Sequence, residues 1–142
     1  MEANRLRESR VIMKILVDAS FLLLCAEKGR DFISLAEESL GDKLECYVLE
    51  DVLKELKGLA ARGGKRGTLA GVALKIAEKM NKLRSDLPET LEVDQKLLEE
   101  AERLGMALAS IDMDLISKAR ERGIPILMVK KDQSIFFTGT LA

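Results

Sequence analysis

The stretch Ile15-Leu16-Val17-Asp18-Ala19-Ser20 decides how the rest of the chain is interpreted. Residues 13–17 are apolar except for Lys14, and the run Ile15-Leu16-Val17 has no polar alternation, which is typical of a strand buried on both faces of a sheet. A carboxylate directly after such a strand is costly unless a partner compensates its charge. Asp18 therefore raises the question of which group provides that compensation.

Further short apolar segments alternate with helical ones along the chain. Strands are predicted at 45–49, 90–93, 106–109 and 125–129, and the residues through Phe137 predict an edge strand or a packed tail. This alternation predicts a three-layer α/β/α fold with a central, mostly parallel sheet of about five strands. We expect one domain over 13–142, preceded by a polar N-terminal tail at 1–12.

The glycine-rich segment 63–67 predicts a loop between two helices. Thr68 is a plausible N-cap for the second of them. That helix is expected to be long and amphipathic, with an apolar face formed by Leu69, Val72, Ile76, Met80 and Leu83.

Composition excludes several classes of enzyme. The 142 residues include no histidine, which rules out Ser-His-Asp and Cys-His hydrolysis and His-ligated zinc. The two cysteines, Cys25 and Cys46, lie in apolar stretches without metal-ligand spacing and predict small buried side chains in a reducing cytoplasm. No apolar run approaches the roughly 20 residues needed to cross a bilayer, so no membrane association is expected.

Carboxylates follow nearly every predicted strand on one edge of the sheet. Asp18 follows the first strand, Asp94 the third and Asp112 the fourth, while Glu55 lies one helical turn beyond the junction acids Glu50 and Asp51. Grouped carboxylates repel one another unless a cation lies among them. Oxygen ligands without His or Cys indicate a hard ion, Mg²⁺ or Mn²⁺.

Each of these acids also has a purely structural interpretation. Asp94 and Asp112 are of the residue type that caps helix N-termini. Glu55 fits a solvated helix face, and Asp114 fits a first-turn charge that is favourable to the helix dipole. Asp18 is the hardest to explain in this way.

At this point the residues resemble the PIN-domain ribonuclease family, over roughly 13–139. Four successive motifs carry the resemblance: Ile15-Leu16-Val17-Asp18-Ala19-Ser20, Val48-Leu49-Glu50-Asp51-Val52-Leu53-Lys54-Glu55-Leu56, Val93-Asp94, and Ala109-Ser110-Ile111-Asp112. Two positions depart from the family pattern, because Ala19 stands where Thr is frequent and Ile111 where Asn is common.

The resemblance implies cleavage of RNA phosphodiesters by an activated water, with one or two Mg²⁺ or Mn²⁺ ions. It implies that the ions are held by Asp18, Glu55, Asp94 and Asp112. In the same way it suggests that Asp114 holds a second, weaker ion, and that Ser20 and Ser110 orient carboxylates or bind phosphate. A homodimer is common in the family and is expected on that ground alone.

RNA binding also requires positive charge beside the acids. Segment 57–84 contains eight basic residues against the single acid Glu78. Within it, the glycine-rich loop makes Arg62, Lys65 and Arg66 the candidates for backbone contact with RNA. An ordinary solvated helix face accounts for the same charges.

Several functions remain open on the sequence. The resemblance is compatible with an endoribonuclease of rRNA processing that has ribosome-assembly partners, or with a VapC-like toxin that has an antitoxin. The changes at Ala19 and Ile111 leave open a catalytically weak RNA-binding or assembly protein. A phosphoacceptor signalling domain also uses a strand-end Asp, but it needs paired acids on the first strand, and Arg10-Val11-Ile12-Met13-Lys14 offers no acid pair there.

Overall fold

The computed structural model describes residues 13–139, so the tail predicted at 1–12 lies outside the described residues. Strands and helices alternate within that range. In chain order they are β1 (Met13–Val17), α1 (Ala19–Lys28), α2 (Phe32–Leu40), β2 (Leu44–Leu49), α3 (Glu50–Arg62), α4 (Gly64–Ala77), β3 (Asn81–Leu83), α5 (Val93–Leu104), β4 (Ala107–Ala109), α6 (Met113–Glu121), β5 (Ile126–Val129) and β6 (Ile135–Thr138).

The strands form one sheet in the order β3-β2-β1-β4-β5-β6. All neighbours pair in parallel except β5 and β6, which pair antiparallel. Because β6 is last in the strand order, it is an edge strand. The predicted three-layer α/β/α class with a mostly parallel sheet is confirmed, with six strands rather than about five among the described residues. The single-domain prediction for 13–142 stays a prediction.

The last three residues of the first strand are buried on both faces, as their apolar run predicts, while Lys14 is exposed. Ile15, Leu16 and Val17 have no exposed surface. They lie between β2 on one side and β4 on the other, with Ile15 paired to Cys46 and Ala107. Because successive strand residues point to opposite faces, full burial of all three requires helices on both faces of the sheet.

The predicted strand at 90–93 is wrong. Leu91 N donates to the carbonyl of Pro88 in a turn, and Val93 already begins α5. The third strand along the chain is instead β3, whose residues Asn81 and Lys82 are exposed. Pairing with β2 holds this short polar segment in place, and no local pattern marks it.

The predicted loop at 63–67 and the predicted N-cap at Thr68 are also wrong. Helix α4 begins at Gly64, directly after Gly63, and both glycines have positive φ values of 73° and 75°. Glycine adopts this conformation without steric cost, so two residues suffice to reverse the chain. Thr68 lies inside α4 and donates its hydroxyl to Gly64 O.

The long amphipathic helix predicted after Thr68 ends earlier than expected, and its predicted apolar face is only partly buried, with Ile76 packed against the core. It ends at Ala77, and Leu83 belongs to β3. The fully buried face consists of small residues, namely Gly67, Ala70, Ala73 and Ala77, while Val72 is 42% exposed. Small side chains let α4 approach α3 and α1 closely, and this tertiary packing overrides the apolar pattern.

Gly67 and Gly71 provide a matched test of that close packing. A Cβ atom at Gly67 would lie 3.0 Å from Leu59 O of α3, whereas one at Gly71 would meet nothing within 4 Å. We expect Gly67→Val to lower the free energy of unfolding by about 1–3 kcal/mol, because the added atoms overpack the interface. Gly71→Ala should raise it by about 0.5–1 kcal/mol through helix propensity. Chemical denaturation measures both, and an unchanged Gly67→Val variant would contradict the packing.

None of the helices within residues 13–139 has the length and apolar character needed to span a membrane. The cytoplasmic location expected from the sequence stays a prediction.

Candidate active site

The strand order reverses between β1 and β4, and this point defines the candidate site. β1 leads on to β2 and β3 on one side, while β4 leads on to β5 on the other. Ligands of open α/β sheets bind at the carboxyl ends of the strands that flank such a point. Asp18 directly follows β1 and Ser110 directly follows β4. The two residues are held together because Asp18 N donates to Ala109 O at 2.9 Å.

Hydrogen bonds provide much of the compensation that Asp18 requires. The residue is 7% exposed. Its Oδ1 accepts from Ala19 N at 2.8 Å, and its Oδ2 accepts from the hydroxyls of Ser20 at 2.7 Å and Ser110 at 2.9 Å. Three donors on one carboxylate fix its orientation.

The two serines extend this network to the next junction. Ser20 Oγ accepts from Ile111 N at 3.1 Å, and Ser110 Oγ accepts from Asp112 N at 3.0 Å. Both hydroxyls therefore join Asp18 to the turn that carries Asp112. Main-chain groups at positions 19 and 111 enter the network, so it forms without Thr or Asn side chains at these positions.

Loss of the Ser110 hydroxyl should weaken both the fold and the site. Ser110→Ala leaves Asp112 N without its acceptor and removes one of the two hydroxyls that donate to Asp18 Oδ2, which should cost about 1–3 kcal/mol in the free energy of unfolding. We expect RNA cleavage to fall about 10- to 100-fold. Ser117→Ala, on the exposed face of α6, is the matched control. Thermal unfolding and a cleavage assay test this, and equal behaviour of the two variants would contradict it.

Glu55 and Asp94 carry carboxylates without a hydrogen bond or ion pair in the described chain. Glu55 lies exposed on α3, and Asp94 lies half-buried in the first turn of α5. Partial removal from water and the charges of Asp18 and Asp94 raise the pKa of Glu55, against the opposing charge of Arg66. Partial removal from water and the charges of Asp18 and Asp112 likewise raise the pKa of Asp94, against Lys118. The four acids Asp18, Glu55, Asp94 and Asp112 therefore share one electrostatic environment.

Asp112 and Asp114 have structural roles as well. Asp112 caps α6, because its Oδ1 accepts from Asp114 N at 3.0 Å and from Leu115 N at 3.3 Å. Asp114 forms an exposed ion pair with Lys118 at 3.2 Å. Among residues 13–139, no three acidic or cysteine side chains converge closely enough to form a ready-made metal cluster.

An ion pair between Lys96 and Asp51 is the feature that sequence reasoning missed. Lys96 Nζ donates to Asp51 Oδ2 at 2.8 Å, and Lys96 is 2% exposed. This pair neutralises one of the two acids at the start of α3. The two residues lie 45 positions apart, and no periodicity or motif connects them.

The three predicted RNA-binding residues lie where α3 meets α4, and all are exposed. Arg62 ends α3, while Lys65 and Arg66 belong to the first turn of α4. The effect of Arg66 on the pKa of Glu55 places its positive charge within electrostatic reach of the acids.

A groove of about 570 Å³ lies elsewhere on the molecule, between α1, β2 and α4. Its lining includes Cys25, Cys46, Val72 and Lys79, and none of the four candidate acids. This groove is therefore separate from the four candidate acids.

Comparisons with known proteins bear on this arrangement. A scan against models of known protein families finds no match. The chain is 30% identical over 137 residues to Ribonuclease VapC9 of Archaeoglobus fulgidus, and the alignment covers 96% of each chain.

Three solved structures share the fold. The PIN domain endonuclease Utp24 has a TM-score of 0.74 at 24% identity, covering 89% of this chain and 92% of its own. A domain of a functionally unknown protein from Methanocaldococcus jannaschii has a TM-score of 0.64 at 16% identity, covering 92% and 98%. PAE2754 from Pyrobaculum aerophilum has a TM-score of 0.52 at 25% identity, covering 76% and 81%.

The strand order and the acids at its reversal point, together with these structures, define a PIN-like α/β/α protein. The near-complete alignment with Ribonuclease VapC9, at 30% identity, assigns the chain to one family within this class. The chain belongs to the PIN-domain ribonuclease family.

Proposed function

We propose that the protein is a divalent-metal-dependent endoribonuclease whose Mg²⁺ or Mn²⁺ ligands are Asp18, Glu55, Asp94 and Asp112. One observation carries the proposal: Glu55 and Asp94 have unpaired carboxylates beside Asp18, and the pKa values of both are raised by the shared negative charge. A bound cation would relieve this repulsion. Among residues 13–139 the carboxylates do not form a ready-made cluster, so binding would draw them together.

The donor set fits a hard cation. All four candidate ligands offer carboxylate oxygen, and the described neighbourhood supplies no histidine or thiolate. Asp114 already has Lys118 as a partner, and the proposal therefore leaves it outside the four-ligand set. When bound, the ion would activate a water and stabilise negative charge on the phosphate.

The protein's own residues would perform the remaining tasks. Ser20 and Ser110 hold Asp18 in one orientation through their hydroxyl donors. Arg66, with its charge within reach of Glu55, would contact an RNA phosphate adjacent to the scissile one. The few aromatic side chains make base stacking a minor contribution.

Cleavage of a structured and an unstructured RNA by the purified protein tests the proposal. We expect cleavage with Mn²⁺ or Mg²⁺ and none after addition of EDTA. Undiminished cleavage in EDTA would exclude the metal, and no cleavage under any condition would exclude the nuclease function.

Neutralisation of Arg66 should weaken RNA binding at every sequence. Arg66→Gln removes one phosphate contact, so we expect weaker binding and a salt slope of log K reduced by about one. Lys43→Gln is the control, because Lys43 is an exposed residue directly before β2. It therefore lies at the amino ends of the strands, opposite the carboxyl ends that carry the candidate site. Fluorescence anisotropy in EDTA at several salt concentrations measures both variants. An equal loss in both would assign the effect to bulk charge.

The similarity to Ribonuclease VapC9 favours a VapC-like toxin as the biological setting. This setting would include a small antitoxin that co-purifies with the chain. An rRNA-processing enzyme with ribosome-assembly partners is the second candidate, and RNA crosslinking in cells would distinguish the two. The expected homodimer is tested by light scattering.

A further inference from the structure

Helices α3 and α5 each carry one of the two unpaired carboxylates, and one buried ion pair joins these helices. Lys96 of α5 and Asp51 of α3 approach to 2.8 Å, with side-chain exposures of 3% and 24%. We propose that this pair is a positioning device that holds Glu55 of α3 and Asp94 of α5 at the spacing that metal binding requires. The inference rests on the proposed function.

The pair is the one hydrogen-bonded or ion-paired contact between α3 and α5 in the described chain. The main packing partners of α3 are α1, α4 and β2, and those of α5 are α6, β1 and β4. Both helices also bury apolar side chains in the common core, for example Leu56 and Leu97. The ion pair adds to this packing a direct polar link between the two helices near the acids.

The pair lies close to both carboxylates along the chain. Asp51 precedes Glu55 by four residues, so both face the same side of α3. Lys96 follows Asp94 by two residues, a rise of about 3 Å along α5. A displacement at the pair would therefore be transmitted to both carboxylates.

The charges explain why such a link is needed. Glu55 and Asp94 repel each other, and this repulsion tends to separate the two helices. Separation would also draw Lys96 from its acceptor while its ammonium stays out of water, which is strongly unfavourable. The buried pair therefore resists the movement that the unpaired carboxylates promote.

Calorimetric titration with Mn²⁺ tests the proposal without relying on activity. The double variant Lys96→Met/Asp51→Leu replaces the pair by apolar residues, which leaves no unpaired buried charge and should keep the melting temperature near or above that of wild type. We expect its Kd for Mn²⁺ to rise about 10-fold. Asp51→Asn, which keeps an acceptor oxygen at a partly exposed position, should give a smaller rise and serves as the second measurement if the double variant does not fold.

The matched control removes another partly buried ion pair of α5. Arg103 and Glu100 pair at 2.7 Å toward the far end of the helix, so Arg103→Met/Glu100→Leu should leave the Kd within about twofold of wild type. A wild-type Kd in the folded double variant, or in Asp51→Asn where that is the variant measured, would overturn the positioning role while the proposed function stands. Failure of the wild-type protein to bind Mn²⁺ would overturn both together.

Discussion

Replacement of Asp18 by Asn is expected to reduce RNA cleavage by about 10³-fold or more while leaving the fold intact. The substitution removes the negative charge from the centre of the four-acid group, and metal-assisted charge stabilisation contributes several kcal/mol to the transition state. The fold should survive because the amide keeps one acceptor for Ala19 N. The two serine hydroxyls lie 3.2 Å apart and can then bond to each other.

Single-turnover cleavage and thermal unfolding together test this expectation for Asp18→Asn. Asp86→Asn is the matched control, since Asp86 lies exposed in the segment between β3 and α5, outside the network. We expect wild-type cleavage from the control and a melting temperature near wild type from both. Retention of cleavage by Asp18→Asn would remove Asp18 from the catalytic centre.

Glu55→Gln and Asp94→Asn should each lose at least about 100-fold in cleavage and yet become more stable without divalent metal. In the folded protein the pKa of each carboxyl is raised, so the folded state binds more protons than the unfolded state just above about pH 4. Stability therefore falls as the pH rises through the raised pKa values. Removal of either acid should recover about 0.5 kcal/mol at pH 7 once screening by water is allowed for.

The gain should disappear when Mn²⁺ is present, because the ion stabilises the wild-type protein by binding to its folded state. Urea denaturation at pH 7 in EDTA and in Mn²⁺ measures both effects. Glu89→Gln, in an exposed loop, serves as the control for loss of one negative charge. Equal stability of Glu55→Gln and wild type in EDTA would show that the acids do not strain the metal-free protein.

The parts of the fold that depend on local patterns could be predicted from the sequence. The apolar run Ile15-Leu16-Val17 predicts β1, and the structure has a buried strand there. Asp112 has the residue type and position of an N-cap, and it caps α6. β3 could not be predicted, because Asn81 and Lys82 have no intrinsic preference for a strand and depend on β2 for their conformation. Local patterns do not report such tertiary pairing.

The candidate site shows the same division. Asp18 and Asp112 lie beyond the ends of β1 and β4, as the sequence predicts, whereas Asp94 follows a turn and not a strand. The partners of these acids could not be predicted. From the sequence we expect a cation beside Asp18. The structure shows that Asp18 also accepts three hydrogen bonds, from Ala19 N and from the hydroxyls of Ser20 and Ser110. The buried pair of Lys96 with Asp51 depends on how α3 and α5 lie in the fold.

A calorimetric titration of Mn²⁺ into the wild-type protein and into Asp18→Asn tests the four-carboxylate site directly. We expect saturable binding to the wild-type protein, and loss of that binding in Asp18→Asn although the variant remains folded. Absence of binding to the wild-type protein at millimolar Mn²⁺, or equal binding by the two proteins, would contradict the four-carboxylate site.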